Sequence, residues 1–136
     1  MTLLLDTHAV IWFLGGSDKL RSEARTAIER AERVYVSAAT IWEIATKVAR
    51  GRLETPPDFV DRLLDLGILQ LALEWEHAWV AGSLPLHHRD PFDRMLVAQA
   101  QLEGLVTRQQ TLAGCRTARR GPSRRWRRAG SPLVVA

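Results

Sequence analysis

Apolar and polar positions along the chain fall into short alternating stretches of two kinds. Leu3-Leu4-Leu5 is a continuous apolar run, the pattern of a strand buried on both faces inside a parallel sheet. His8–Leu14 is apolar over a helical length and stops at Gly15-Gly16. Ser22–Glu32 carries Ala24, Ala27, Ile28 and Ala31 at helical spacing and leads into the strand-like Val34-Tyr35-Val36. Ser37 is placed to cap a helix over Ala38–Arg50, with Gly51 as its stop. Along that helix Thr40, Glu43, Lys47 and Arg50 form a polar stripe opposite Ile41, Ile44, Ala45 and Val48. After the break at Pro56-Pro57, Asp58 is placed to cap a helix over Phe59–Leu66. Ile68–Leu73 has the look of a third strand, and Glu76–Gly82 of a further short helix. A loop from Leu84 to Asp90 precedes a helix over Pro91–Glu103, apolar on most sides and therefore buried. Gly104 ends it, and Leu105-Val106-Thr107 is a short fourth strand.

Strands alternating with helices in this order predict an α/β sandwich with a mostly parallel sheet. There are no internal repeats. With 136 residues the chain is long enough for one domain with a proper core. The single cysteine, Cys115, excludes an internal disulfide framework and suits a reducing cytoplasm. The start of the chain lacks the basic region of a signal peptide, and no later apolar stretch is long enough to span a bilayer. The cytoplasm is the expected location.

Charge divides the chain. The net charge is +4, yet residues 1–115 hold all 15 acidic residues and only 12 of the 19 Lys and Arg, so that part is mildly acidic. Residues 116–136 hold seven arginines and no acid, with no hydrophobic periodicity before Leu133. The expected organisation is a folded domain over 1–115 and a disordered Arg-rich tail over 116–136.

Three carboxylates stand out against apolar surroundings. Asp6 closes the first strand, where an acid is costly unless it is paired, metal-bound or used to cap the next helix. Glu43 lies on the polar stripe of its helix, where an i,i+4 pair with Lys47 is the ordinary reading. Asp93 follows Pro91; with proline at the first helical position, Asp90 becomes the N-cap and Asp93 sits in the first turn, where the positive helix end favours an anion. Carboxylates that converge without neutralising each other want a hard divalent cation, Mg²⁺ or Mn²⁺. His87 and His88 lack the further His or Cys at ligand spacing that zinc requires, so they read as loop residues near the site. Trp12, Trp42, Trp75 and Trp79 are expected as core or interface anchors.

Three stretches taken together resemble the PIN-domain family and, within it, the VapC-type toxins of bacterial toxin–antitoxin pairs. They are Leu5–Trp12, Val36–Lys47 and Leu84–Ala100, and their order and spacing cover residues 1 to about 108. The resemblance implies a three-layer α/β/α sandwich and a metal-dependent endoribonuclease that hydrolyses RNA phosphodiester bonds. It also implies a cognate antitoxin, a homodimer, and Asp6, Glu43 and Asp93 as catalytic metal ligands for Mg²⁺ or Mn²⁺, with Asp90 and Gln109 in support. Two departures stand beside it. Many relatives carry a fourth acid after the last core strand, where this chain has Gln109, which hydrogen-bonds but brings no charge. The family's closing C-terminal strand is expected to be lost, since the resemblance ends beyond Cys115.

The competing expectation is a degenerate fold of the same family that binds RNA or an antitoxin without cleaving. A phosphatase of the haloacid dehalogenase type is excluded, because it needs a second Asp two residues after the first and His8 stands there.

Overall fold

The structure, a computed structural model, describes residues 1–85 and 89–107. The sequence-based readings of His87, His88, Gln109, Cys115, the Arg-rich tail and the lost closing strand therefore lie outside the described residues. Elements follow in the order β1 (Thr2–Leu5), α1 (Thr7–Leu14), α2 (Ser22–Arg30), β2 (Arg33–Ser37), α3 (Ala38–Ala49), α4 (Phe59–Asp65), β3 (Leu69–Leu71), α5 (Trp75–Ser83), α6 (Pro91–Glu103) and β4 (Val106–Thr107). The four strands pair in parallel in the order β3-β2-β1-β4. This is the α/β architecture that the alternating pattern predicts. The third strand is shorter than its apolar run, because Ile68 turns into the core while Ala72 and Leu73 lie past the last paired residue.

Side-chain alternation on β1 builds both halves of the core. Leu3 and Leu5 face one layer, where they meet Val10 of α1, Ile28 of α2, Ile44 of α3 and Phe59 and Leu63 of α4. Leu4, almost fully buried, points the other way onto Leu96 and Ala100 of α6, with Leu105, Tyr35 and Leu71 around it. Helices on both faces of the sheet satisfy a strand that has no polar side, and give the three layers. Gly104 terminates α6 in the left-handed conformation that a β-carbon disfavours, and its turn brings the chain directly into β4.

Two sequence-based expectations fail on packing. Thr40 was assigned to a solvated stripe and is buried, while Ala45 and Val48, assigned to the buried face, are exposed. The cause is that α3 touches α1, α6 and β2, so its covered arc is wider than a single apolar stripe and is turned toward Thr40. Of the two roles expected for the tryptophans, core or interface anchor, the core is ruled out for Trp42, Trp75 and Trp79, which are 66%, 77% and 69% exposed. Among the described residues no helix is long and apolar enough to cross a membrane.

Candidate active site

Parallel strands that neighbour each other end at the same edge of the sheet, and β1 and β2 do so beside one another. Each is followed at once by a helix, so α1 and α3 begin at that carboxyl edge. The helix α6 runs back to the start of β4, which is parallel to β1, so its N-terminus also lies at the carboxyl edge. Connectivity alone therefore carries Asp6, Glu43 and Asp93 to one side of the molecule, where open α/β sheets form their sites.

Local chemistry fixes each acid. Asp6 is the N-cap of α1: its backbone is extended and its Oδ1 accepts from the Ala9 N–H at 2.7 Å. Ser37 plays the same part for α3, accepting from the Ala39 N–H at 3.0 Å. Glu43, one turn further along α3, is half-buried; its Oε2 accepts from the Thr7 hydroxyl and its Oε1 from Lys47 Nζ at 2.6 Å. Asp90 caps α6, its Oδ1 accepting from the N–H groups of Phe92 and Asp93 at 2.8 and 3.1 Å, with Pro91 in the first turn. That leaves Asp93 as the acid of this helix start whose carboxylate is not spent on capping.

Electrostatics ties the four together. The Asp93 carboxyl is raised above the ordinary aspartate range, first by partial burial and then by the negative charge of Asp90, Glu43 and Asp6. The exposed His8, beside Asp6 on α1, opposes this shift. Asp6, Asp90 and Asp93 at two helix starts and Glu43 one turn into a third helix are an acceptor-only, all-oxygen set, the donor chemistry of a hard cation. Among the described residues no group of three or more His, Cys, Asp or Glu is arranged to hold a metal ion. Asp6 is turned to the Ala9 N–H, and both oxygens of Glu43 are engaged by Thr7 and Lys47. Mg²⁺ in proteins keeps several waters and takes only one or two carboxylates directly, so the set suits that ion by charge and donor type without a closed cage.

Sequence reasoning missed two residues of this site. Thr7, 3% exposed, ties α1 to Glu43 across 36 positions of chain, and no local spacing signals such a bond. Arg94, next to Asp93, donates from Nε to the Ala81 carbonyl, from Nη1 to Pro85, and from Nη2 to Gly82 and Leu84, at 2.7–3.2 Å. It holds the end of α5 and the start of the connection that delivers Asp90 and Asp93. An arginine within a largely apolar helix was the available signal.

Comparison with known proteins agrees with this architecture. The family model described as PIN domain matches residues 3–109. The chain is 29% identical over 116 residues to Ribonuclease VapC22 of Mycobacterium tuberculosis (strain ATCC 25618 / H37Rv), covering 82% of this chain and 89% of the relative. Among solved structures it is similar in fold to a toxin-antitoxin complex from Klebsiella pneumoniae, at a TM-score of 0.55 and 20% identity, covering 77% of this chain and 82% of that one. It is similar also to VapBC2 from Rickettsia felis bound to a DNA fragment from their promoter, at a TM-score of 0.55 and 13% identity, covering 79% and 86%. With the family model matching most of the chain, residues 3–109, the chain belongs to the PIN domain family.

Proposed function

We propose that this chain is a metal-dependent endoribonuclease, the toxin of a toxin–antitoxin pair, hydrolysing RNA phosphodiester bonds in the cytoplasm. The observation that carries the reading is a half-buried Asp93 at the carboxyl edge of a PIN-family sheet, its carboxyl raised by burial and by the charges of Asp90, Glu43 and Asp6. The name of the ribonuclease relative supports the reaction, and the two toxin–antitoxin structures support an antitoxin as partner. A homodimer is part of the reading: Trp75 and Trp79, one turn apart on α5, offer exposed apolar surface for it.

In this reading Asp6, Glu43 and Asp93 would hold Mg²⁺ or Mn²⁺. A bound divalent cation supplies charge neutralisation at a phosphate oxygen and a water nucleophile near neutral pH. The protein's own part is orientation. Thr7 fixes the rotamer of Glu43, and Asp90 spends its charge on the helix so that Asp93 stays available. Arg94 anchors the connection that leads to both aspartates.

A second reading, a PIN domain that binds RNA or antitoxin without cutting, draws on the engaged oxygens of Asp6 and Glu43. One experiment separates the two. Purified full-length chain is incubated with RNA in Mg²⁺ or Mn²⁺, with EDTA, and as Asp6→Asn and Asp93→Asn. The nuclease reading expects cleavage that EDTA and either substitution abolish while the circular dichroism spectrum is unchanged. Cleavage that survives chelation sinks it, and binding without cleavage in either metal favours the second reading.

A further inference from the structure

The two helices that bring Glu43 and Asp93 to the site also touch each other through aromatic rings. Trp42 immediately precedes Glu43 on α3, and Phe92 immediately precedes Asp93 on α6. Their ring centroids are 5.3 Å apart at an interplanar angle of 70°, an edge-to-face contact. Phe92 is half-buried, but Trp42 has 66% of its surface in solvent. The contact with Phe92 leaves most of the indole open to solvent. Isolated exposed apolar residues need no explanation. Trp42 is not isolated: it is a large aromatic ring packed against the first turn of the helix that carries Asp93.

We propose that Trp42 is a stacking platform for an unstacked nucleobase of single-stranded RNA, next to the phosphodiester held at Asp6, Glu43 and Asp93. The inference rests on the ribonuclease reading and deepens it by placing a base-binding subsite. Three considerations favour a base over other occupants. The ring reaches the helix start that carries the acids, since it packs on Phe92, whose own N–H is capped by Asp90. The body of the protein is mildly acidic, because residues 1–115 hold all 15 acids and 12 of the 19 Lys and Arg, so phosphate attraction to the domain surface supplies little of the affinity. Stacking on aromatic side chains is how single strands gain affinity without sequence readout, since every base has a π-face. A duplex keeps its bases stacked inside and cannot use such a platform.

The test measures binding apart from cleavage. Full-length Asp93→Asn protein, in Mg²⁺, is titrated into a fluorescein-labelled single-stranded RNA of mixed sequence, and into the same ribose-phosphate backbone made abasic throughout. Adding Trp42→Ala is expected to weaken binding of the RNA about tenfold, with Trp42→Phe recovering most of it. The abasic strand is expected to bind weakly and to be indifferent to residue 42. Indole quenching by the RNA that is smaller in Trp42→Phe than in the parent, the other four tryptophans being common to both, reports contact at this ring. In the chain carrying Asp93, Trp42→Ala is expected to raise KM with kcat nearly unchanged, the signature of lost ground-state binding. An equal loss on both strands, or no loss on either, overturns the platform. So does unchanged RNA binding accompanied by a change in dimer mass or antitoxin affinity, which assigns the ring to a protein partner. Failure to cleave RNA in Mg²⁺ and Mn²⁺ would instead refute the nuclease reading, and the binding comparison is read independently of it.

Discussion

The Thr7 hydroxyl donates to Glu43 Oε2, so a buried side chain in the first turn of α1 holds an acid in the middle of α3. Because Lys47 occupies the other oxygen, Glu43 is gripped from both ends and its carboxylate plane is set. Replacing Thr7 with the isosteric valine removes the donor without changing volume. Thr7→Val is expected to cost about 1 kcal/mol in urea unfolding, the net value of a side-chain hydrogen bond. RNA cleavage should fall by more than stability alone accounts for, because Glu43 loses its alignment. A variant with normal cleavage at saturating metal would show that Lys47 suffices to orient the acid.

Asp93 makes stability depend on pH in a direction opposite to that of most carboxylates. Its folded-state pKa lies above the ordinary aspartate value, so the folded protein binds this proton more tightly than the unfolded chain does. The favourable contribution is present in full below the unfolded value and is lost as pH rises through the raised folded value. Above that window the ionised Asp93 destabilises the fold. In EDTA at neutral pH, Asp93→Asn should therefore melt a few degrees higher than the parent, and the difference should shrink as pH falls below the ordinary aspartate range. Thermal melts across acid to neutral pH check both statements. A stability deficit for Asp93→Asn at neutral pH would mean that Asp93 has a partner that outweighs its three carboxylate neighbours.

Much of this arrangement was legible in the chain, for physical reasons. Leu3-Leu4-Leu5 has no polar side, so helices had to cover both faces of its sheet, and they do. Pro91 sets the register of α6 and so distinguishes Asp90 from Asp93 in the sequence itself. What could not be read was tertiary. Thr40 resembles a surface residue by type and becomes buried because α3 is flanked on several sides. Trp42 resembles a core residue by type, yet it stands 66% exposed with its ring against Phe92. Local spacing reports which residues share a helix face, but not how wide an arc the neighbours cover. The orientation of the acids is a further case. The sequence placed Asp6 and Glu43 at the site, yet their bonds to Ala9, Thr7 and Lys47 depend on rotamers that no spacing encodes.

Asp90 and Asp93 divide the work of one helix start, and the division can be measured. Asp90→Ala removes an acceptor for two backbone N–H groups and is expected to cost about 1 kcal/mol of stability. Its effect on Mg²⁺ or Mn²⁺ affinity, measured by titration calorimetry, should be smaller than that of Asp93→Ala. A larger metal defect at Asp90 would reverse the two assignments.

Arg94 is the residue whose replacement should damage the site most without touching a carboxylate. Its fork reaches Ala81 and Gly82, carbonyls in the last turn of α5, and Leu84 and Pro85 beyond the helix end. The last carbonyls of a helix have no partners within it, so the guanidinium satisfies acceptors that would otherwise have to find water. Lysine carries the same charge but presents a single nitrogen, which cannot span carbonyls on both sides of the helix end. Arg94→Lys is therefore expected to lose about 2 kcal/mol in urea unfolding, within the range for hydrogen bonds from a charged donor, and Arg94→Ala somewhat more. Since residue 94 adjoins Asp93 and anchors the connection into the Asp90 cap, RNA cleavage should also fall under conditions where the variant remains folded. Arg94→Lys with parental stability and parental cleavage would show that charge at this position, rather than the fork, holds the end of α5 in place.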